Sequence, residues 1–155
     1  FNNILLTKNK IALLNKNTEI TLNSISQGIL TDRIHEILYN SGFNIHMINF
    51  GEGRASGILP DNKNWNLIIN NKKIDITNKG YSVTEVKSTI LPGIKSHLFD
   101  VKTQKTKTNA PQKVTVIANS ATLADVLSTV YSVSDIQTRK KILKKFPQTK
   151  FIIEA

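Results

Sequence analysis

From Gly28 onward the apolar positions Leu30, Ile34, Ile37 and Leu38 recur at helical spacing, and Asn40, Ser41 and Gly42 supply a stop in which glycine accepts left-handed backbone. The spacing predicts one helix of about three turns. Leu123, Val126, Leu127 and Val130 stand at i, i+3, i+4 and i+7 and predict a second helix, capped by Asn119 or Ser120. A third opens at Ser134 and Asp135 and stops at Pro147. Elsewhere the period is two or the apolar runs are short. Residues 3–6 and 10–14 predict a hairpin, with residues 19–22 extending its sheet. Phe43, Ile45 and Met47 alternate with Asn44, His46 and Ile48 in a half-buried strand that runs into a glycine-rich loop over residues 51–57. Residues 65–70 and 74–76 predict a second hairpin about Asn71, Lys72 and Lys73, and further strands fall near residues 81–86, 113–118 and 150–154. Residues 87–112 read as mostly irregular. Strands in clusters with helices between them predict the α+β class, a mixed or antiparallel sheet carrying three packed helices. No repeat or linker divides the chain, so residues 1–155 read as a single domain.

Composition narrows the chemistry. A chain of 155 residues with 39% hydrophobic and 21% charged residues can bury one core. Without cysteine, disulfides, thiolate nucleophiles and zinc-thiolate sites are excluded. No apolar run reaches membrane-spanning length and no leader pattern occurs. The first residue is Phe1, which leads to the expectation that a leader, an N-terminal portion or both preceded it. The net charge of +10 raises the possibility of nucleic-acid or acidic-surface binding. The basic residues gather in 102–113 and 139–150 without interleaved aromatics, so a solvated lysine-rich face is the favoured reading and no nucleic acid is expected.

Four segments could carry chemistry. Asp125 and Thr129 lie one helical turn apart and can offer hard oxygens to one small cation, although a charge favouring the helix dipole beside a surface threonine accounts for the pair as simply. Residues 21–28 form a polar, small-residue approach to a helix, where free amides favour anions or where Ser24 or Ser26 merely caps. The glycine-bracketed residues 51–57 suit a ligand contact or a turn. His97 precedes Asp100 by three residues, so its ring can take a proton from a hydroxyl while the carboxylate orients it; an inert loop histidine is the alternative. His35 and His46 read as structural or surface residues.

Taken in order, these segments resemble the C-terminal half of the ApbE-like FAD:protein FMN transferases. Residues 23–33, Asn-Ser-Ile-Ser-Gln-Gly-Ile-Leu-Thr-Asp-Arg, stand where that family has a small-residue turn and a Gly-Tyr-Ala-x-Asp helix. Asn49-Phe50-Gly51-Glu52 stands for its Asn-x-Gly-Gly or Gly-Glu loop, Trp65 for a tryptophan that follows, and residues 97–100 for its His-hydrophobic-hydrophobic-Asp element. Lys113–Ala118 and residues 124–129 resemble its Ser-Val-Thr-Val-x-Ala strand and Ala-Asp-x-Leu-Ser-Thr helix. Ile29, Val101 and Gln104 depart from the family's aromatic, proline and glycine, and Gln27 replaces a charged residue.

The resemblance implies a T-fold-like flavin transferase architecture, with an N-terminal portion of the family domain missing. It also implies magnesium-dependent transfer of FMN from FAD to a Thr or Ser hydroxyl of an acceptor flavoprotein, with release of AMP. Magnesium would be held by the backbone carbonyl of Ser24 and the side chains of Asp125 and Thr129. Thr21, Gln27 and Phe99 would line the FAD site, and His97 would be the general base. An FAD-binding remnant, or an FAD pyrophosphatase without transfer, is the alternative. By the same resemblance the expected location is the bacterial cell envelope, with membrane association only through a missing N-terminal anchor.

Overall fold

The computed structural model describes residues 3–85, 99–100, 105–106 and 111–154. The chain begins with the antiparallel hairpin β1 (Ile4–Leu6) and β2 (Ile11–Leu13), followed by α1 (Asn23–Asn40), β3 (His46–Phe50) and β4 (Glu52–Ser56). A 3-10 turn at Pro60–Asn62 leads to β5 (Asn66–Ile69), β6 (Lys72–Asp75) and β7 (Gly80–Glu85). Two short strands, β8 (Phe99–Asp100) and β9 (Lys105–Thr106), precede β10 (Lys113–Ala118), α2 (Ala121–Val133), α3 (Ile136–Lys145) and β11 (Lys150–Glu154). None of the helices among the described residues is long and apolar enough to cross a membrane.

The central sheet has the order β11-β10-β7-β4-β3, and each neighbouring pair is antiparallel. Alternation along β10 sorts its side chains between two apolar layers. Val114, Val116 and Ala118 meet Ala124, Leu127 and Tyr131 of α2 and Ile142 of α3. Ile117 joins Ala55, Ile76 and Tyr81 on the other face, with Trp65, Leu67 and Ile74 from the β5–β6 region packed over them. The result is the α+β arrangement expected, an antiparallel sheet between helices and a hairpin.

The caps of the later helices are where the sequence places them. Ser120 Oγ accepts from the Leu123 amide at 3.1 Å and Asp135 Oδ1 from the Thr138 amide at 2.8 Å. The β5–β6 turn closes through Asn70 and Asn71, both at positive φ, which suits a two-residue hairpin.

Four expectations change. α1 starts at Asn23, so most of the stretch read as a turn before Gly28 is helical. Its first residues carry no apolar period and no side-chain cap, and packing on α2 supplies what local signals lack. Residues 19–22 form no strand. Residues 52–56, read as loop, are β4: the glycine-rich run turns at Gly51 (φ +84°) and then pairs with β3 and β7. Phe43 and Ile45 stay exposed ahead of β3, and Ile48 is the strand's buried residue.

Candidate active site

Asp125 keeps only 4% of its surface exposed, and its Oδ2 accepts the main-chain N–H of Gly28 at 3.0 Å. An α-helix directs that amide at the carbonyl four residues back, which is Ser24. A carboxylate from another helix therefore competes for the donor that would satisfy Ser24. Glycine is required for this approach. A Cβ on residue 28 would lie 2.7 Å from the Thr122 Cα and 2.8 Å from the Ala121 carbonyl oxygen, so any side chain would push α1 away from α2.

One turn further along α1, Asp32 faces the first turn of α2. Its carboxylate accepts from the Ala121 amide (2.9 Å), the Thr122 amide (2.8 Å), the Thr122 hydroxyl (2.6 Å) and Arg54 Nη1 (2.9 Å). Arg54 also donates to the Asn119 carbonyl at 3.0 Å. Stepping back from Asp32 to Gly28 on α1 thus moves forward from Ala121 to Asp125 on α2. The two helices run antiparallel in a register of about one turn per contact.

Deeper in the site lies a chain of hydroxyls. Buried Ser128 donates its one proton to the Asp125 carbonyl at 3.0 Å. It can therefore only accept from Thr84 (2.7 Å), while Ser82, 2.8 Å away, has a single proton to share between Ser128 and Glu52. Thr84 then has no proton left for Thr129, whose Oγ1 lies 3.5 Å away. Any bond between them has Thr129 as donor, so Thr129 keeps its lone pairs for another partner.

The electrostatics are those of uncompensated buried carboxylates. Burial pushes the Asp125 carboxyl up against the opposing Gly28 hydrogen bond. Glu52, 6% exposed on β4, is raised to about 7 by burial and by the charge of Asp125, against hydrogen bonds from Ser82 and the Val83 amide. Its Oε2 meets no donor among the described residues. Burial and Glu52 together push up the Tyr81 phenol. Asp32 behaves oppositely. Burial alone would raise it, but Thr122, the Ala121 amide and Arg54 outweigh that and hold it below the ordinary value.

Among the residues predicted for the site, Ser24 and Gln27 are exposed on the first turns of α1, and Thr129 is half-buried on α2. Gln27 lies against Gly51, where a Cβ would come within 2.9 Å of Nε2. Thr21 is exposed just before α1 and accepts the Asn23 amide at 3.3 Å. Phe99 begins β8, paired with Thr106. His97 lies outside the described residues.

A family model described as the ApbE family matches residues 1–153. The chain belongs to the ApbE family. Solved ApbE structures share its fold. The flavinyl transferase ApbE of Pseudomonas stutzeri, in its apo form, aligns with a TM-score of 0.78 at 20% identity, covering 99% of this chain and 53% of that one. The H257G mutant of the Vibrio cholerae flavin transferase ApbE aligns at 0.80 and 18% identity, over 99% of this chain and 56% of that one. The ApbE protein of Thermotoga maritima aligns at 0.77 and 20% identity, over 98% and 54%. The chain spans about half the length of each of these structures. No curated protein matches it.

Within this ApbE-family fold, Gly28, Asp32, Glu52, Ser82 and Thr84 join the site without having been assigned to it from sequence. A glycine inside a helical pattern is a signal of close approach that could have singled out Gly28. Glu52 was hidden because its flanking glycines read as loop.

The donor set suits a hard cation. Among the described residues no three His, Cys, Asp or Glu side chains group to hold a metal. Around Asp125 the donors are instead one carboxylate and neutral oxygens, which fits a cation whose remaining ligands are water or phosphate oxygens. A buried carboxylate with no countercharge among the described residues is the observation that favours such a fit.

Proposed function

We propose that this chain takes part in magnesium-dependent transfer of FMN from FAD to a Thr or Ser hydroxyl of an acceptor protein, with release of AMP. The observation that carries the reading is the Gly28–Asp125 junction. It buries a carboxylate without a cationic partner among the described residues, beside a helix start lacking a side-chain cap. Continued by one turn, the antiparallel register sets Ser24 at the level of Thr129. The Ser24 carbonyl, Asp125 Oδ1 and the Thr129 hydroxyl are the three oxygens that would hold the cation. Bound there with FAD, magnesium would supply charge neutralisation at the pyrophosphate.

The remaining roles belong to the chain. Thr21, Gln27 and Phe99 would line the FAD site, where the pyrophosphate meets the acceptor hydroxyl. That oxygen forms a bond to the FMN phosphorus while the bond from that phosphorus to the bridging oxygen breaks, and AMP leaves with the oxygen. The hydroxyl proton passes to His97. Gln27, being neutral, contributes hydrogen bonds but no charge to the phosphates. The site of action is the bacterial cell envelope.

Incubating the chain with FAD, magnesium and an acceptor protein tests this directly. Flavin fluorescence retained by the acceptor after denaturation, together with stoichiometric AMP, is the expected result. Neither product would remove the reading. A second reading, FAD binding without turnover, is favoured by Gln27, Ile29 and Val101, which stand where the family has a charged residue, an aromatic and a proline. It predicts quenched FAD fluorescence and no AMP.

A further inference from the structure

Asp32 binds α2 from outside that helix, and α2 does not need it to start. Ser120 already caps the first turn through the Leu123 amide. What Asp32 adds is a tie between elements: three hydrogen bonds to Ala121 and Thr122, and an ion pair with Arg54 of β4 whose side chains are both mostly buried. These bonds also consume the α2 amides that could otherwise take an anion, so the first turn of α2 is closed to a phosphate. Because Gly28 brings the two backbones together without an intervening side chain, the depth of Asp125 is set by this contact and the Asp32 tie. Arg54 of β4 reinforces the tie by donating to both Asp32 and the Asn119 carbonyl just ahead of α2.

We propose that Asp32 is a positioning residue for the cation site: by tying the first turn of α2 to α1 and β4, it holds Asp125, one turn further on, where its second oxygen can meet the cation. This rests on the function proposed above and names a residue that acts through Asp125 rather than on substrate. The tie fixes both the axial register and the rotation of α2, and therefore the direction of the Asp125 and Thr129 side chains together. Outer partners of metal ligands commonly set affinity in this manner.

The test is Mn2+ binding in the presence of FAD, followed by electron paramagnetic resonance on protein shown to be folded by circular dichroism at the same temperature. Asp32→Asn, which replaces an acceptor oxygen by an amide group facing two N–H donors, is expected to weaken Mn2+ binding about tenfold. Thr122→Val, which removes one of the bonds, is expected to weaken it by a smaller factor, and Ser120→Ala, which removes only the helix's own cap, to leave it unchanged. A purely structural Asp32 would lower the melting temperature without moving the affinity of the folded protein. Mn2+ binding by folded Asp32→Asn within about twofold of wild type overturns the proposal. Should that variant not fold, Thr122→Val decides, and unchanged affinity there overturns it equally. Asp125→Ala separates the two levels. Wild-type affinity in that variant defeats the cation site itself, whereas a loss in Asp125→Ala with none in Asp32→Asn defeats only the role of Asp32.

Discussion

The Gly28 amide and the Asp125 carboxylate, 97 residues apart in sequence, meet at 3.0 Å across a helix pair with no side chain between their backbones. Gly28→Ala therefore forces α1 and α2 apart. Its methyl would sit at 2.7–2.9 Å from Thr122, Ala121 and Asp125, where neighbouring backbone cannot yield cheaply. The alanine gain in helix propensity, about 1 kcal/mol, is outweighed by an overpacking cost of roughly 1–3 kcal/mol or more. Urea denaturation should show a net loss of stability, together with weaker FAD binding in magnesium. A stabilised variant would contradict the close approach.

Glu52 makes the fold less stable as pH rises. Its folded value, raised to about 7, exceeds the ordinary 4.5, so the neutral form is the one the fold prefers. That preference is fully present below the unfolded value and is lost as pH climbs through 7. Glu52→Gln keeps the shape and removes the titration. At pH 8 it should be more stable than wild type by about 1–3 kcal/mol, the difference shrinking toward pH 5. Thermal unfolding across that range checks the sign, and a variant less stable at pH 8 would contradict it.

The opposite slope comes from His35. Its Nδ1 lies 2.9 Å from His46 Nε2, and His46 Nδ1 donates to the Phe43 carbonyl at 2.6 Å. Neutral His46 thus offers a lone pair to the His35 N–H. Burial, Arg54 and His46 lower the His35 value below 6.5. A depressed histidine contributes stability that is present above its unfolded value and lost as pH falls through the folded one. In the Glu52→Gln background, where the Glu52 slope is gone, His35 contributes a loss of stability on acidification below neutrality. His35→Gln added to that background should flatten the fall in a pH series of melting temperatures. An unaltered slope would remove His35 as its source.

Ser128→Ala probes the hydroxyl chain. The substitution leaves Thr84 without its acceptor and Ser82 with one partner fewer in a buried setting, at a cost of about 1–3 kcal/mol. Thr84 becomes free to donate to Thr129, turning the latter's lone pairs inward. Loss of stability accompanied by weaker magnesium dependence of FAD binding is the expected pair of results, measured by denaturation and fluorescence titration.

Much of the frame was legible where local chemistry and tertiary structure agree. α2 and α3 announce themselves through Ser120 and Asp135, whose short oxygens cap helices wherever they occur, and through apolar residues at helical spacing. β10 declares itself a strand by alternation, although the burial of Thr115 and Ile117 on its second face is not encoded there. The start of α1 does not, because Asn23, Ser24, Ser26 and Gln27 are small or polar residues whose helicity comes from contact with α2. β4 was obscured for a similar reason. Its glycine and serine positions are small because Tyr81 and neighbouring elements press close on them, not because the chain turns there. The pairing of Asp32 with Ala121 and Thr122, and the burial of Glu52 near Asp125, depend on separations of tens of residues that no local pattern encodes.

Calorimetric titration of magnesium into the chain with FAD present, for wild type and Asp125→Ala, goes to the centre of the matter. Saturable binding by wild type and a loss of at least about tenfold in the variant is the predicted result. Equal binding by both, or none by wild type, would contradict a cation held at the α1–α2 junction.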